Sequence, residues 1–160
     1  VSPDMLKEGW TFHTGEGSTG DAINGKDRLY EIYLLTDPKF TGRVTVPVLW
    51  DKKTKTIVNN ESSEIIRMFN SAFDGLTGNT ADFYPHALRA EIYRINDLVY
   101  PNINNGVYRA GFATTQEAYE EAFGNLFDTL DKVEEILSRQ RYLAGSAITE
   151  AEWRLFTTLV

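Results

Sequence analysis

Cysteine is absent from the 160-residue chain. That excludes disulfides, thiolate metal ligands and a cysteine nucleophile among these residues. Histidine is scarce, with only His13 and His86 present, too few for a zinc or iron site built on imidazoles, so no metal is expected. No apolar run approaches the roughly 18–20 residues that span a bilayer, and the opening residues lack the pattern of a signal peptide. A cytosolic (cytoplasmic) protein without a membrane partner is expected. An excess of basic charge is missing too. Sixteen Lys and Arg stand against 23 Asp and Glu, a formal net charge of −7, whereas nucleic-acid binders carry a basic footprint. No nucleic-acid partner is expected; an acidic balance of this size mostly serves solubility.

What is present fits a soluble globular chain: 42% hydrophobic and 24% charged residues, at a length that can bury a real core. The first forty residues are irregular, with Gly and polar clusters between Gly15 and Gly25. A short helix or turn is predicted over Asp27 to Leu35, where Leu29, Ile32 and Tyr33 share a face. The run Arg43 to Trp50 is β-branched and aromatic and predicts a strand. After a polar turn at Lys52 to Lys55, Thr56 to Val58 completes a hairpin. Glu64 to Phe73 has helical spacing, with Ile65, Phe69 and Phe73 four apart. Residues 74–85 are punctuated by Gly75, Gly78 and Pro85 and read as a linker. Beyond them everything is helical. One stripe (Leu88, Ile92, Ile95, Leu98) is expected to end at Tyr100-Pro101, since proline blocks continuation. A second stripe carries Tyr119, Phe123, Leu126, Leu130, Val133 and Leu137. The expected organisation is an α/β unit over 1–73, a linker over 74–85 and an all-helical unit over 86–160.

Pro47 interrupts a run that otherwise demands a strand, where proline cannot donate to a ladder. Three readings are open: an edge-strand proline, a run that is not a strand, or a cis proline turning the preceding backbone outward for a ligand. Asn59 to Glu64 opens a helix with preferred capping residues, and exposed N–H groups plus the helix dipole favour an anion there. A plain cap explains this start as well. Glu61 complements the dipole, or accepts a hydrogen bond from a ligand amine while Ser62 and nearby N–H groups hold a carboxylate. The γ-glutamyl end of glutathione is a zwitterion that fits both halves.

Asn104 to Phe112 holds two asparagines and two glycines near a helix break, which predicts an irregular segment open to ligand. On composition alone, Tyr108 within it reads first as a packing tyrosine. Trp10 is equally suited to a lid or to core. Thr149 with Glu152 has the form of a capping box with Ile148 as staple onto Trp153, and Thr114 to Glu117 is a second helix start.

The stretches Gly9-Trp10-Thr11-Phe12, Gly42 to Lys53, Asn60 to Asn70, Asn104 to Tyr108, Gly111 to Thr114 and Thr149 to Val160 resemble the glutathionyl-hydroquinone reductases, the Xi class of glutathione transferases. The resemblance covers essentially the whole chain. It implies a glutathione transferase fold, α/β plus all-α, in which part of a thioredoxin-like domain precedes part of a helical bundle domain. It implies that Trp10 covers glutathione, that Arg43 helps hold it, and that Val46, with Val44 and Thr45 beside it, pairs its backbone with the cysteinyl part. Glu61 and Ser62 would hold the γ-glutamyl end, and Tyr108 would move a proton at the quinone. The implied reaction reduces glutathionyl-hydroquinones through a cysteine mixed disulfide, with glutathione as co-substrate and a homodimer as the working form. Neither the nucleophilic cysteine nor further helices of the family are here, so a trimmed or internal piece is expected. The alternative is a non-catalytic glutathione-transferase-like binding module.

Overall fold

Leu29, Ile32 and Tyr33 recur at helical spacing, and they bury one face of the first helix. In the computed structural model, which describes residues 1–3 and 7–160, this is α1 (Leu29–Thr36). The Glu31 carboxylate accepts from the Arg28 and Asp27 N–H groups at 3.0 and 3.1 Å and ties off the helix start. Trp10, Phe12, Phe40, Val44, Val48, Trp50 and Ile57 pack against the buried face. The chain divides into two compact units, Val1–Ile65 and Ile66–Val160.

In the first unit the hairpin forms as predicted. β1 (Leu49–Asp51) and β2 (Thr56–Asn59) are antiparallel, with Trp50 opposite Ile57 and Asp51 opposite Thr56. Asp51 fastens the turn: its carboxylate accepts from the Lys53 and Thr54 N–H groups at 2.7 and 3.1 Å. Those bonds, Thr54 foremost, hold its pKa below the usual carboxylate value. The long strand expected from Arg43 is shorter than its composition suggests. Only Leu49–Asp51 joins a ladder, because Pro47 offers no N–H and the Val46–Pro47 bond is cis.

α2 (Ser62–Ser71) begins in the first unit and ends in the second. Of its expected apolar face only Ile65 is buried; Phe69 and Phe73 remain exposed, their rings 5.5 Å apart. A four-residue helix, α3 (Asp74–Thr77), follows, closed by Gly78 at φ +69°.

The second unit is helical. α4 (Arg89–Val99), α5 (Gly106–Gly111), α6 (Gln116–Arg139) and α7 (Glu150–Leu159) surround a core of Ile92, Ile95, Val99, Ile103, Leu126, Val133, Leu143, Ala151 and Leu155. Both helix starts read from the sequence are present. The Thr115 hydroxyl accepts from the Ala118 N–H at 3.2 Å, and Thr149 and Glu152 form a reciprocal capping box. Trp153 stands edge-on to Phe83 at 5.8 Å. In the α6 stripe, Leu126 and Val133 are buried, whereas Tyr119, Phe123 and Leu137 are exposed.

The expectation that Tyr100-Pro101 ends a helix is overturned. The chain widens into a π-turn over Tyr100–Asn104 and then resumes as α5, so the segment predicted to be irregular is largely helical.

Gly145 has a φ of +71°, and a Cβ added to it would lie 2.6 Å from Leu88 Cδ1. Gly145→Ala is therefore expected to lower stability by about 2 kcal/mol, from the left-handed backbone and the crowding together. An unchanged urea midpoint would show that Leu88 swings clear at no cost.

Candidate functional site

The Tyr33 hydroxyl organises the first unit's ligand-facing edge. It donates to the Thr45 carbonyl at 2.9 Å and accepts from the Asn60 side-chain amide at 3.0 Å. The Asn60 amide also reaches Thr45 Oγ1 at 3.4 Å. One hydroxyl thus holds the backbone leading into Val46–Pro47 beside the start of α2. The two features read separately from the sequence are brought together.

At this edge the Val46 side chain is exposed, and neither its N–H nor its C=O meets a partner among the described residues. At the helix start the Asn59 side chain accepts from the Glu61 N–H at 2.6 Å, so Asn59 serves the opening turn while Asn60 serves Tyr33. The Glu64 and Ile65 N–H groups bond to the Glu61 carbonyl at 3.0 and 2.9 Å. No acceptor faces the Ser62 or Ser63 N–H among the described residues. Glu61 and Ser62 are both exposed. Such an edge can pair with an extended peptide through Val46 and take an anionic terminus on the helix start.

The other candidates fall around these two features. Val44 and Thr45 are half-buried, Val44 packing against the α1 cluster, and Arg43 is exposed without an ion pair among the described residues. Trp10 is half-buried and packs against the same cluster, and its carbonyl accepts from the Leu29 N–H at 2.9 Å. Tyr33 and Asn60 were not singled out as a pair by the sequence. Tyr33 reads as core from its spacing and Asn60 as a cap, and nothing local links residues 27 positions apart.

Tyr108 lies on α5 of the second unit. The packing role that composition favours is overturned, since it is 64% exposed, its ring stacked on Phe112 at 6.4 Å. The second unit also holds a charged cluster. Glu150, nearly fully buried, receives Arg67 Nε and Nη2 at 2.8 and 3.0 Å and Asn96 Nδ2 at 2.9 Å. The Arg67 guanidinium lies 4.4 Å from the Tyr84 ring centroid and 5.0 Å from that of Tyr93. The bonds to Glu150 push the Arg67 pKa well above its ordinary value. Beside this cluster lies a cavity of about 310 Å³ lined in part by Phe69, Phe83, Tyr84 and Trp153. Among the described residues no group of three or more His, Asp or Glu could hold a metal ion. No helix there is long and apolar enough to cross a membrane.

Residues 9–72 match the model of the glutathione S-transferase N-terminal domain, and residues 116–160 that of the glutathione S-transferase C-terminal domain. Glutathionyl-hydroquinone reductase PcpF from Sphingobium chlorophenolicum is 58% identical over 100% of this chain and 51% of its own length. The glutathione-bound structure of YqjG, a glutathione transferase homolog from Escherichia coli K-12, superposes with a TM-score of 0.93 at 55% identity, covering 97% of this chain and 51% of that one. The glutathione-S-transferase Xi from Phanerochaete chrysosporium gives a TM-score of 0.94 at 50% identity, with 99% and 55% covered. The chain spans about half the length of the curated relatives it matches.

Proposed function

Since the chain belongs to the glutathione transferases, we propose that its first unit holds glutathione and that the intact protein reduces glutathionyl-hydroquinones to hydroquinones. The observation that carries this reading is the Tyr33 clasp. It sets an unpaired Val46 backbone next to a helix start with free Ser62 and Ser63 N–H groups. Glutathione needs both. Its cysteinyl amide is an extended segment that can pair with Val46 as an added strand. Its γ-glutamyl end carries an amine and a carboxylate together, met by Glu61 and by the Ser62 hydroxyl and helix N–H groups respectively. Arg43 supplies positive charge for the far carboxylate, Val44 and Thr45 continue the binding stretch, and Trp10 covers the peptide.

The reaction fits two thiol exchanges. A cysteine thiolate attacks the glutathionyl sulfur, an S–S bond forms as the carbon–sulfur bond to the ring breaks, and the ring carbon takes a proton. Tyr108 supplies that proton as general acid and recovers it as base. A second glutathione thiolate then attacks the mixed disulfide, frees the cysteine and leaves as oxidised glutathione. The ring gains the two electrons that the two glutathione sulfurs lose. These 160 residues contain no cysteine, so the thiolate must come from elsewhere in the intact protein, which family resemblance makes a cytosolic homodimer. That same lack favours a second reading, a binding module without turnover. A cysteine-containing species heavier than 18.1 kDa by intact mass supports the enzyme, and a cysteine-free one of that mass the module.

Glu61→Ala tests the site directly. It leaves the γ-glutamyl amine without its carboxylate, and calorimetry is expected to show glutathione affinity falling about tenfold, from the ~1.5–3 kcal/mol of a charged hydrogen bond discounted for exposure. Unchanged affinity removes Glu61 from the site.

A further inference from the structure

Proline inside a helix lacks the N–H for its own rung, and its ring crowds the carbonyl four residues back. At Pro101 the helix answers by widening rather than stopping. The π-turn over Tyr100–Asn104 is closed by the Asn105 N–H on the Tyr100 carbonyl, five residues back, at 2.9 Å. A widened turn leaves some carbonyls without their usual donors, and the Asn102 side chain repairs one, donating to the Leu98 carbonyl at 3.0 Å. Ile103 inside the turn is fully buried. π-turns of this kind gather at functional sites.

The side chain that fastens this turn to the rest of the unit is Asn104. Its amide donates to the Arg154 carbonyl at 2.9 Å and to the Thr158 hydroxyl at 2.6 Å, both on α7. The next helical residues are α5, with Tyr108 one turn beyond Asn104. Tyr108 makes no side-chain hydrogen bond among the described residues, and its one ring contact is Phe112 on the same short helix. Its direction is therefore set by the α5 backbone. That backbone leaves a turn whose α-helical register proline has broken, so a tertiary fastening must set its course.

We infer that Asn104 is a positioning residue, which through its two bonds to α7 sets the course of α5 and so aims the Tyr108 hydroxyl. The inference rests on the proton-transfer reading of Tyr108 above. Proton transfer is steep in distance, and a displacement of about 1 Å in a reacting group can cost on the order of a hundredfold in rate. Loss of Asn104 shifts the aim of Tyr108 without removing its hydroxyl, so the deficit falls on kcat.

In the full-length protein, Asn104→Ala is expected to lower kcat on a glutathionyl-hydroquinone about tenfold, with KM and the glutathione Kd unchanged. Asn104→Gln, which keeps the amide on a longer arm, recovers part of the loss. In a Tyr108→Phe background Asn104→Ala adds nothing further, because there is no hydroxyl left to aim. Thr158→Val deletes one acceptor near the helix end and gives a smaller loss with the same non-additivity, in a variant that keeps the core intact. Full kcat in soluble Asn104→Ala or Thr158→Val protein, or losses that multiply with that of Tyr108→Phe, overturns the inference alone. Tyr108→Phe turning over at the parent rate overturns the proton-transfer reading, and the positioning role goes with it.

Discussion

Tyr108→Phe in the full-length protein is expected to slow reduction of glutathionyl-hydroquinones by about a hundredfold or more, with glutathione affinity unchanged. The substitution is close to a pure deletion of one hydroxyl. The ring keeps its stacked contact with Phe112, where the planes lie within 8° of parallel. No hydrogen bond of the fold is lost, since the hydroxyl has none among the described residues. What disappears is a proton donor and acceptor, and a positioned group of that kind contributes on the order of 10²–10⁴ in rate. Single-turnover kinetics on a glutathionyl-hydroquinone, with calorimetry for glutathione, measures the two effects separately. A fall in affinity matching the fall in rate would assign Tyr108 to binding instead.

Arg67→Met should destabilise the protein by about 3–5 kcal/mol, read as a drop in the urea midpoint. Its partner Glu150 is only 4% exposed at the side chain, and Arg67 gives it two short hydrogen bonds. With Arg67 gone, Glu150 keeps only the neutral Asn96 amide at 2.9 Å and Arg154 at 3.7 Å. A carboxylate so placed has lost its closest countercharge and cannot regain water. Methionine retains much of the apolar stem, so the loss is chiefly electrostatic. Arg67→Met combined with Glu150→Gln removes the stranded charge and should restore a good part of the stability. A single variant as stable as the parent would mean that Arg154 alone neutralises Glu150.

Local signals were legible in the sequence. The α1 face, the hairpin and the Thr115 and Thr149 caps each depend on residues within a few positions of one another, and each is present. Pro101 was misread because the rule it invokes is also local. A proline forbids the next α-helical rung, yet buried Ile103 and the Asn104 bonds to α7 keep the chain helical through a wider turn. The exposed aromatics show the same limit. Tyr119, Phe123 and Phe127 follow helical spacing, and their rings lie 5.7 and 4.3 Å apart in sequence, but on the solvent side of α6. Periodicity names a face without naming what covers it. At the site, Val46 and Ser62 could each be suspected from residue type. Their adjacency could not, because it depends on a hydroxyl and an amide from distant segments meeting at Thr45.

That meeting at Thr45 bears on how ligands would be sorted. The groove's two walls are laced to one another during folding, so an arriving tripeptide finds its mould already cast and spends little entropy in setting it. Peptides differing in fit would then reach the groove at similar speeds and be told apart by how long they stay.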